Sequence, residues 1–282
     1  MAEVVELVSY PVKGCAAVPA RSAHLGPAGL AHDRSFMVVT PDGVGRTQRR
    51  DPQLAVITPE VTAGAGAGGE RLMLRAPGRE ALHIDVDVTG ERRPVDMLGR
   101  PLRGIDQGRD AAAWLSDVLG VSSRLVRVPP ENGRVTDGLT PGTSGFADSS
   151  AVHLLSRAAL DHFNARLAAR GAAPVPMARF RPNVVVDGWD EEPHAEDRAR
   201  LLRIGDAELG FAKLAVRCAV TLVDQGSGAK AGPEPLRTLA AYRRSPEGGV
   251  TFGAKFSVLR PGTLSVGDKV EVAAWSAAAP ES

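Results

Sequence analysis

The sequence predicts a β-dominated α+β protein, and three observations carry that expectation. Short runs rich in Val, Ile and Leu, punctuated by Pro or Gly, fill the first hundred residues. Two longer stretches combine a helical period with matching start and stop residues. Strand-like runs then return and dominate as far as Trp275. At 282 residues, 43% of them apolar, the chain can bury a large core, as one large domain or two modest ones.

In the first half the expected strands are Val4 to Tyr10, Ser35 to Thr40, Leu54 to Glu60, Arg71 to Arg75 and Leu82 to Val88. A helix over Asp110 to Leu119 follows, with Asp110 as N-cap and Gly120 just past its end. It buries Ala113, Trp114 and Leu115 or Val118. A second helix starts from Ser156 as N-cap, runs to about Arg170 and stops at Gly171, with Leu160, Phe163 and Leu167 on one face. FRPNVVVDG, ARLLRIGDAELGFAKLAVRCAVTLVD, GVTFGAKFSVL and GDKVEVAAW then read as strands, with a tight turn at Asp268-Lys269. A short helix is expected at Pro235 to Tyr242, where Pro235 suits the first turn, and the AAAPES tail is expected to fray.

Two glycine-rich stretches are set aside. GAGAGG has the spacing of a dinucleotide fingerprint, but the strand-like ERLMLRA follows it where a helix would have to receive the pyrophosphate, so it reads as a flexible hairpin loop. GSGAK has neither the spacing nor the Ser or Thr of a P-loop.

Charge and cysteine count narrow the function classes. With 34 basic and 33 acidic residues the net charge is +1, which gives no electrostatic reason to expect nucleic acid or an anionic membrane as partner. No apolar run reaches the ~18 residues of a membrane span, and MAEVVELVSYPVKG lacks the pattern of a secretory signal, so the expected compartment is the cytosol. Cys15 and Cys218 are then expected to be reduced. They form no CxxC pair, and the six histidines have no ligand-like spacing, which argues against structural zinc.

The chemistry-bearing candidates sit at strand ends. In LAVRCAVTLVD, Leu214 to Asp224, a period of two places Leu214, Val216, Cys218 and Val220 on one face and Ala215 and Arg217 on the other. Cys218 is thereby expected to point inward. On pattern alone, core packing is favoured over a functional thiol, because free cysteine is among the most buried residue types. Lys13 in SYPVKGC and Arg34 in AHDRSFMVV flank strands, where a solvated charge is the ordinary reading. Arg181 and Asn183 enter the buried run FRPNVVV, where polar groups need partners and a guanidinium suits phosphate or carbonyl oxygens. Asp148, Ser149 and Ser150 offer a carboxylate and hydroxyls ahead of the second helix, in what is otherwise a turn.

Taken in order, YPVKGC, AHDRSFMVV, RTQRRDPQLAVI, FADSS, MARFRPNVVVDG, the RCAVTLVD run, EPLRTLAAYR, TFGAKF and RPGTLSVGDKVEV resemble the MOSC-domain proteins with an associated N-terminal MOSC domain. These are the family of the mitochondrial amidoxime-reducing components and their bacterial relatives. The resemblance covers nearly the whole chain. It implies a β-rich N-terminal domain, residues 1–105, and a barrel-like MOSC domain with a few helices, residues 106–282, holding a molybdenum cofactor (molybdopterin) between them. Cys218 matches the cysteine that ligates molybdenum, a soft thiolate suited to a redox-active metal. Lys13, Arg34 and Arg181 match positions that contact the cofactor's anionic phosphate and pterin. Asn183, Ser149 and Ser150 match further hydrogen-bonding positions, Asp148 an orienting acceptor, and Arg217 either a contact near the metal or a mere neighbour.

The resemblance also implies reduction of N-hydroxylated or N-oxygenated small molecules, with two electrons and two protons consumed and water released. Where many relatives carry a second cysteine three residues before the ligand, this chain has Ala215. No cysteine cluster follows VEVAAW for an iron–sulfur centre, so electrons are expected from a separate redox protein. The alternatives are a carrier that holds the cofactor or its sulfur without turnover, and a β-rich module without cofactor. For Cys15, packing is the favoured role, with a place beside Lys13 in the pocket as the other.

Overall fold

The computed structural model describes residues 2–63, 69–189 and 192–276. All of GAGAGG except its last glycine, Gly69, and the end of the chain after residue 276 lie outside the described residues. Strands flanking that loop, Thr58–Ala63 and Glu70–Arg75, pair antiparallel and continue to Leu82–Asp85.

A β-dominated α+β architecture is observed, organised by two sheets. The larger has eight strands in the order Val270–Trp275, Ala199–Ile204, Ala207–Arg217, Val250–Arg260, Val152–Ser156, Val184–Asp187, Glu3–Ser9 and Val18–Ala20. Its pairings are antiparallel except that of Val152–Ser156 with Val184–Asp187. That parallel pair is joined through the helix Arg157–Ala168, as parallel neighbours require a crossover. The sheet curls until Glu3 bridges Lys269 and Val4 exchanges backbone hydrogen bonds with Gly267 and Asp268. Among the described residues no continuous ladder closes it, so the expected barrel is an open, strongly curved sheet.

The second sheet has five strands in the order Arg92–Asp96, Pro101–Asp106, Arg124–Arg127, Phe36–Val39 and Val12–Lys13. Its core, with Val12, Cys15, Phe36, Leu54, Ile57 and Leu125, is covered by Ala111 and Leu115 of the helix Gly108–Leu119. Segments cross between halves: Glu3–Ser9 belongs to the large sheet, although its continuation Val12–Lys13 belongs to the small one. This crossing places Lys13 at the seam.

The second helix follows the sequence closely. Ser156 is its N-cap, with Oγ accepting from the Ala159 amide at 3.1 Å and donating to the buried Glu196 Oε2 at 2.8 Å. Phe163 and Leu167 pack with Phe180, Leu239 and Phe252. Other expectations shift. Leu54 to Glu60 is a 3₁₀ turn, Pro52–Val56, before the strand begins at Thr58, because Pro52 has no amide for a ladder and fixes its φ. The first helix starts at Gly108, which puts Asp110 in its first turn and Gln107 at the cap, and it buries Ala111 where Ala113 was expected. The short third helix spans Leu236–Leu239.

Candidate active site

The apolar run around Cys218 does not alternate as expected. Register shifts between Phe211 and Lys213 and between Leu214 and Val216 break the period, so Ala215 is buried while Val216 is 58% exposed. The strand ends at Arg217. Cys218 is the next residue, capping a 3₁₀ turn Ala219–Leu222, and its carbonyl accepts from the Thr221 amide at 3.0 Å and hydroxyl at 2.9 Å. It is half-buried, while Cys15 is fully buried in the small-sheet core. Burial pushes the Cys15 thiol up to about 12, which makes it a packed, inert sulfhydryl.

Cys218 lines a cavity of about 300 Å³ that draws its walls from both halves of the chain. Lys13, Arg34, Asp148, Ser149, Arg181 and Arg217 line the same cavity. Arg217 and Cys218, expected on opposite faces, share it because the strand has ended between them. Asn183 and Ser150 stand behind the wall: both are buried, neither is a lining residue, and the Ser150 Oγ has no hydrogen-bond partner.

Tyr10 organises the cationic floor. The guanidinium of Arg34 lies 4.3 Å from its ring centroid and that of Arg181 lies 4.1 Å away. Both arginines adopt left-handed backbone angles, φ 48° and 55°, at the sharp strand entrances seen in the sequence. Arg34 Nη1 donates to both Asp33 carboxylate oxygens, at 2.8 and 2.6 Å, and to Asn183 Oδ1 at 3.0 Å. Asn183 Nδ2 donates to Asp33 Oδ1 at 2.9 Å and to the Val8 carbonyl at 3.1 Å. Asn183 therefore acts on the pocket by fixing Arg34. Arg181 donates from Nη1 to Gln225 Oε1 and from Nη2 to the Cys15 carbonyl, both at 2.7 Å, and burial lowers it to about 10.

Lys13 donates to the Phe146 carbonyl at 2.9 Å and is paired with Asp148. Burial lowers the Lys13 ammonium against the attraction of that carboxylate. Desolvation pushes Asp148 up, but Lys13, followed by Lys255 and Arg34, holds its carboxyl well below the usual range.

Several wall residues escaped the sequence reading. Arg46, Thr47, Gln48 and Arg49 come from the RTQRRD run and Lys255 from TFGAKF, both segments that carried the resemblance without being singled out as sites. His153 is the direct cross-strand partner of Lys255. Burial holds His153 well below its usual value, and burial together with Arg34 and Arg217 brings Lys255 down to about 7. The signal was present, since His153 and Lys255 are ionisable residues flanked by apolar ones within strands. Arg49 lines the cavity with Cys218, and the nearby sulfur raises the guanidinium's own affinity for a proton.

The lining contains Lys13, Arg34, Arg46, Arg49, Arg181, Lys213, Arg217 and Lys255, against the single carboxylate of Asp148. Asp33, Asp51 and Asp137, outside the lining, pair with Arg34, Arg46 and Lys213, and the positive charge left on Arg49, Arg181, Arg217 and Lys255 favours an anion in the cavity. The buried Arg217 Nε also has no partner. A phosphate-bearing organic anion with a soft metal, facing donor side chains and one thiol, fits this set.

Residues 1–122 match the model of the MOSC N-terminal beta barrel domain and residues 141–271 that of the MOSC domain. The chain is 33% identical to mitochondrial amidoxime reducing component 2 of Rattus norvegicus, over 93% of this chain and 80% of that protein. It is 32% identical to mitochondrial amidoxime-reducing component 1 of Homo sapiens, over 95% of this chain and 82% of that one. A third relative, molybdenum cofactor sulfurase of Danio rerio, is 31% identical over 88% of this chain, which spans 31% of that longer protein. The chain belongs to the MOSC-domain family, in the branch that joins an N-terminal MOSC domain to the MOSC domain.

Proposed function

We propose that the protein binds the molybdenum cofactor in this cavity and reduces N-hydroxylated or N-oxygenated small molecules, with electrons from a separate redox protein in the cytosol. The observation that carries the reading is the meeting of Cys218 with cationic side chains from both halves of the chain in one cavity. In the same proposal residues 1–105 and 106–282 act as two halves that exchange elements. Glu3–Ser9 lies in the sheet of the second half and Arg124–Arg127 in that of the first.

The residues divide the work. Cys218 Sγ is the soft metal ligand, and Arg49 beside it supplies positive charge next to the sulfur. Lys13, Arg34, Arg181, Arg217 and Lys255 neutralise the phosphate and the pterin edge, and Asp148 orients Lys13. Leu98, Leu214, Val216 and Val220 are the apolar side chains of the wall and receive the substrate's body. When bound, the cofactor supplies the two-electron chemistry. The overall conversion takes R–NHOH, two electrons and two protons to R–NH₂ and water.

The similarity to molybdenum cofactor sulfurase supports a second reading, a carrier that binds the cofactor without turnover. Reduction of benzamidoxime by a reduced viologen dye separates the two. Steady turnover that disappears in Cys218→Ala supports the reductase. Stoichiometric cofactor with no turnover on any N-hydroxylated base supports the carrier.

A further inference from the structure

The loop that carries GSGAK joins the two halves of the chain. Asp224 Oδ1 accepts from the Gly226 amide at 3.2 Å and from the Ser227 amide and hydroxyl at 2.9 and 2.8 Å. Val223 bridges Lys230 across the loop. Gly228, at φ 68°, lies so close to the opposite segment that a Cβ there would stand 3.2 Å from the Pro52 carbonyl oxygen. The loop is thus shaped and seated against the first half of the chain.

At its start, Gln225 meets Gln48. Gln48 Nε2 donates to Gln225 Oε1 at 3.0 Å, and Gln225 Nε2 donates back to Gln48 Oε1 at 2.9 Å. The remaining Gln48 donor goes to the Gly14 carbonyl at 2.6 Å and that of Gln225 to the Val223 carbonyl at 3.0 Å. Gln225 Oε1 also takes Arg181 Nη1 at 2.7 Å. Each amide has both hydrogens committed, and turning Gln225 over would set its NH₂ against the Arg181 donor. One orientation of the pair satisfies every partner. Gln225 itself is not a wall residue of the cofactor cavity, so whatever it does for the cofactor it does through Arg181.

We propose that the reciprocal Gln48–Gln225 amide pair is a latch between the two halves of the chain that positions Arg181 and thereby retains the cofactor. The proposal rests on the cavity being the cofactor site. Gln225 is a positioning residue, whereas Gln48 both lines the cavity and holds Gln225; the two are coupled because breaking either end opens the same pair.

The test follows release of molybdopterin from purified holoprotein, by fluorescence of the oxidised pterin, in wild type, Gln225→Ala, Gln48→Ala and the double variant. Gln225→Ala is expected to release the cofactor about 10-fold faster, in the range seen when groups behind a ligand shell are lost. The double variant is expected to be no faster than the quicker single one. Gln225→Glu keeps the acceptor for Arg181 but sets a carboxylate oxygen against Gln48 Oε1 and the Val223 carbonyl, so it is expected to recover less than half of the lost retention; Gln225→Met replaces the alanine variant if that one does not fold. Release from Gln225→Ala at the wild-type rate, or effects that multiply in the double variant, overturns the latch. A wild type that carries no molybdopterin fails the cofactor reading instead. The latch is then read on that protein by amide hydrogen exchange over residues 179–184: faster exchange in Gln225→Ala upholds it, unchanged exchange overturns it.

Discussion

Asn183 accepts a hydrogen bond from Arg34 across 149 residues of chain, Nη1 to Oδ1 at 3.0 Å. The same amide oxygen accepts from the His153 backbone at 3.1 Å, and the amide nitrogen serves Asp33 and Val8. Asn183→Ala therefore strands several buried partners at once. The expected loss is about 2–4 kcal/mol, read by urea unfolding of the cofactor-free protein, with cofactor retention falling alongside. A loss below the usual surface-substitution level would show that Arg34 is held without Asn183.

Glu196 makes the stability depend on pH in a direction opposite to an ordinary paired carboxylate. Burial first, and the neighbouring Asp197 second, push its carboxyl up to about 7, against an ordinary value of 4.5. Between those two values the folded protein keeps a proton that the unfolded chain has lost, so this site's contribution is complete below pH 4.5 and disappears as pH rises through 7. In Glu196→Gln that fall is absent, and the variant gains on wild type across the window by up to about 3 kcal/mol. Urea midpoints at pH 5, 6, 7 and 8 check it; parallel curves for the two proteins would contradict it.

Lys255 gives the cavity its own pH dependence. Burial, together with Arg34 and Arg217, brings its ammonium down to about 7, so a free cavity above that pH carries one charge fewer. An anion beside it favours the protonated form, so holding the cofactor at higher pH requires taking up a proton. Cofactor retention on dialysis is expected to fall from pH 7 to 9 in wild type and to stay flatter in Lys255→Arg. Equal slopes would remove Lys255 from the anion's surroundings.

Gly253 stands where a side chain cannot. Its φ is 79°, and a Cβ would come within 2.6 Å of His153 Nε2 and 2.8 Å of the Leu154 carbonyl oxygen. Gly99 has the same kind of backbone, φ 80°, with open space around it. Gly99→Ala is expected to cost about 1 kcal/mol for the backbone alone, and Gly253→Ala about 2–4 kcal/mol once crowding is added. Thermal unfolding of the pair separates conformation from contact.

Local signals were read well and long-range ones poorly. Ser156, Phe163, Leu167 and Gly171 announce the second helix because cap, face and stop lie within sixteen residues and need no tertiary partner. Alternation failed around Cys218 because bulges against Val250–Arg260 break the period, and nothing in the run itself marks them. The missing amide of Pro52, a local signal, decides the 3₁₀ turn where the apolar run Leu54 to Glu60 suggests a strand. At the site, Lys13, Arg34 and Arg181 were legible as charges at strand ends, whereas the tie between Asn183 and Arg34 is a property of strand order. Arg49 and Gln48 sit in a polar run indistinguishable from a surface loop until the fold brings them to Cys218 and Gln225.

Metal analysis of protein purified from a cofactor-competent host tests most directly the proposal that Cys218 Sγ holds molybdenum within a cationic cavity. Wild type is expected to carry about one molybdenum per chain, and Cys218→Ala less than about a tenth of that, with the unfolding temperature of the cofactor-free wild type. Molybdenum retained at the wild-type level in Cys218→Ala, or absent from the wild type, would contradict it.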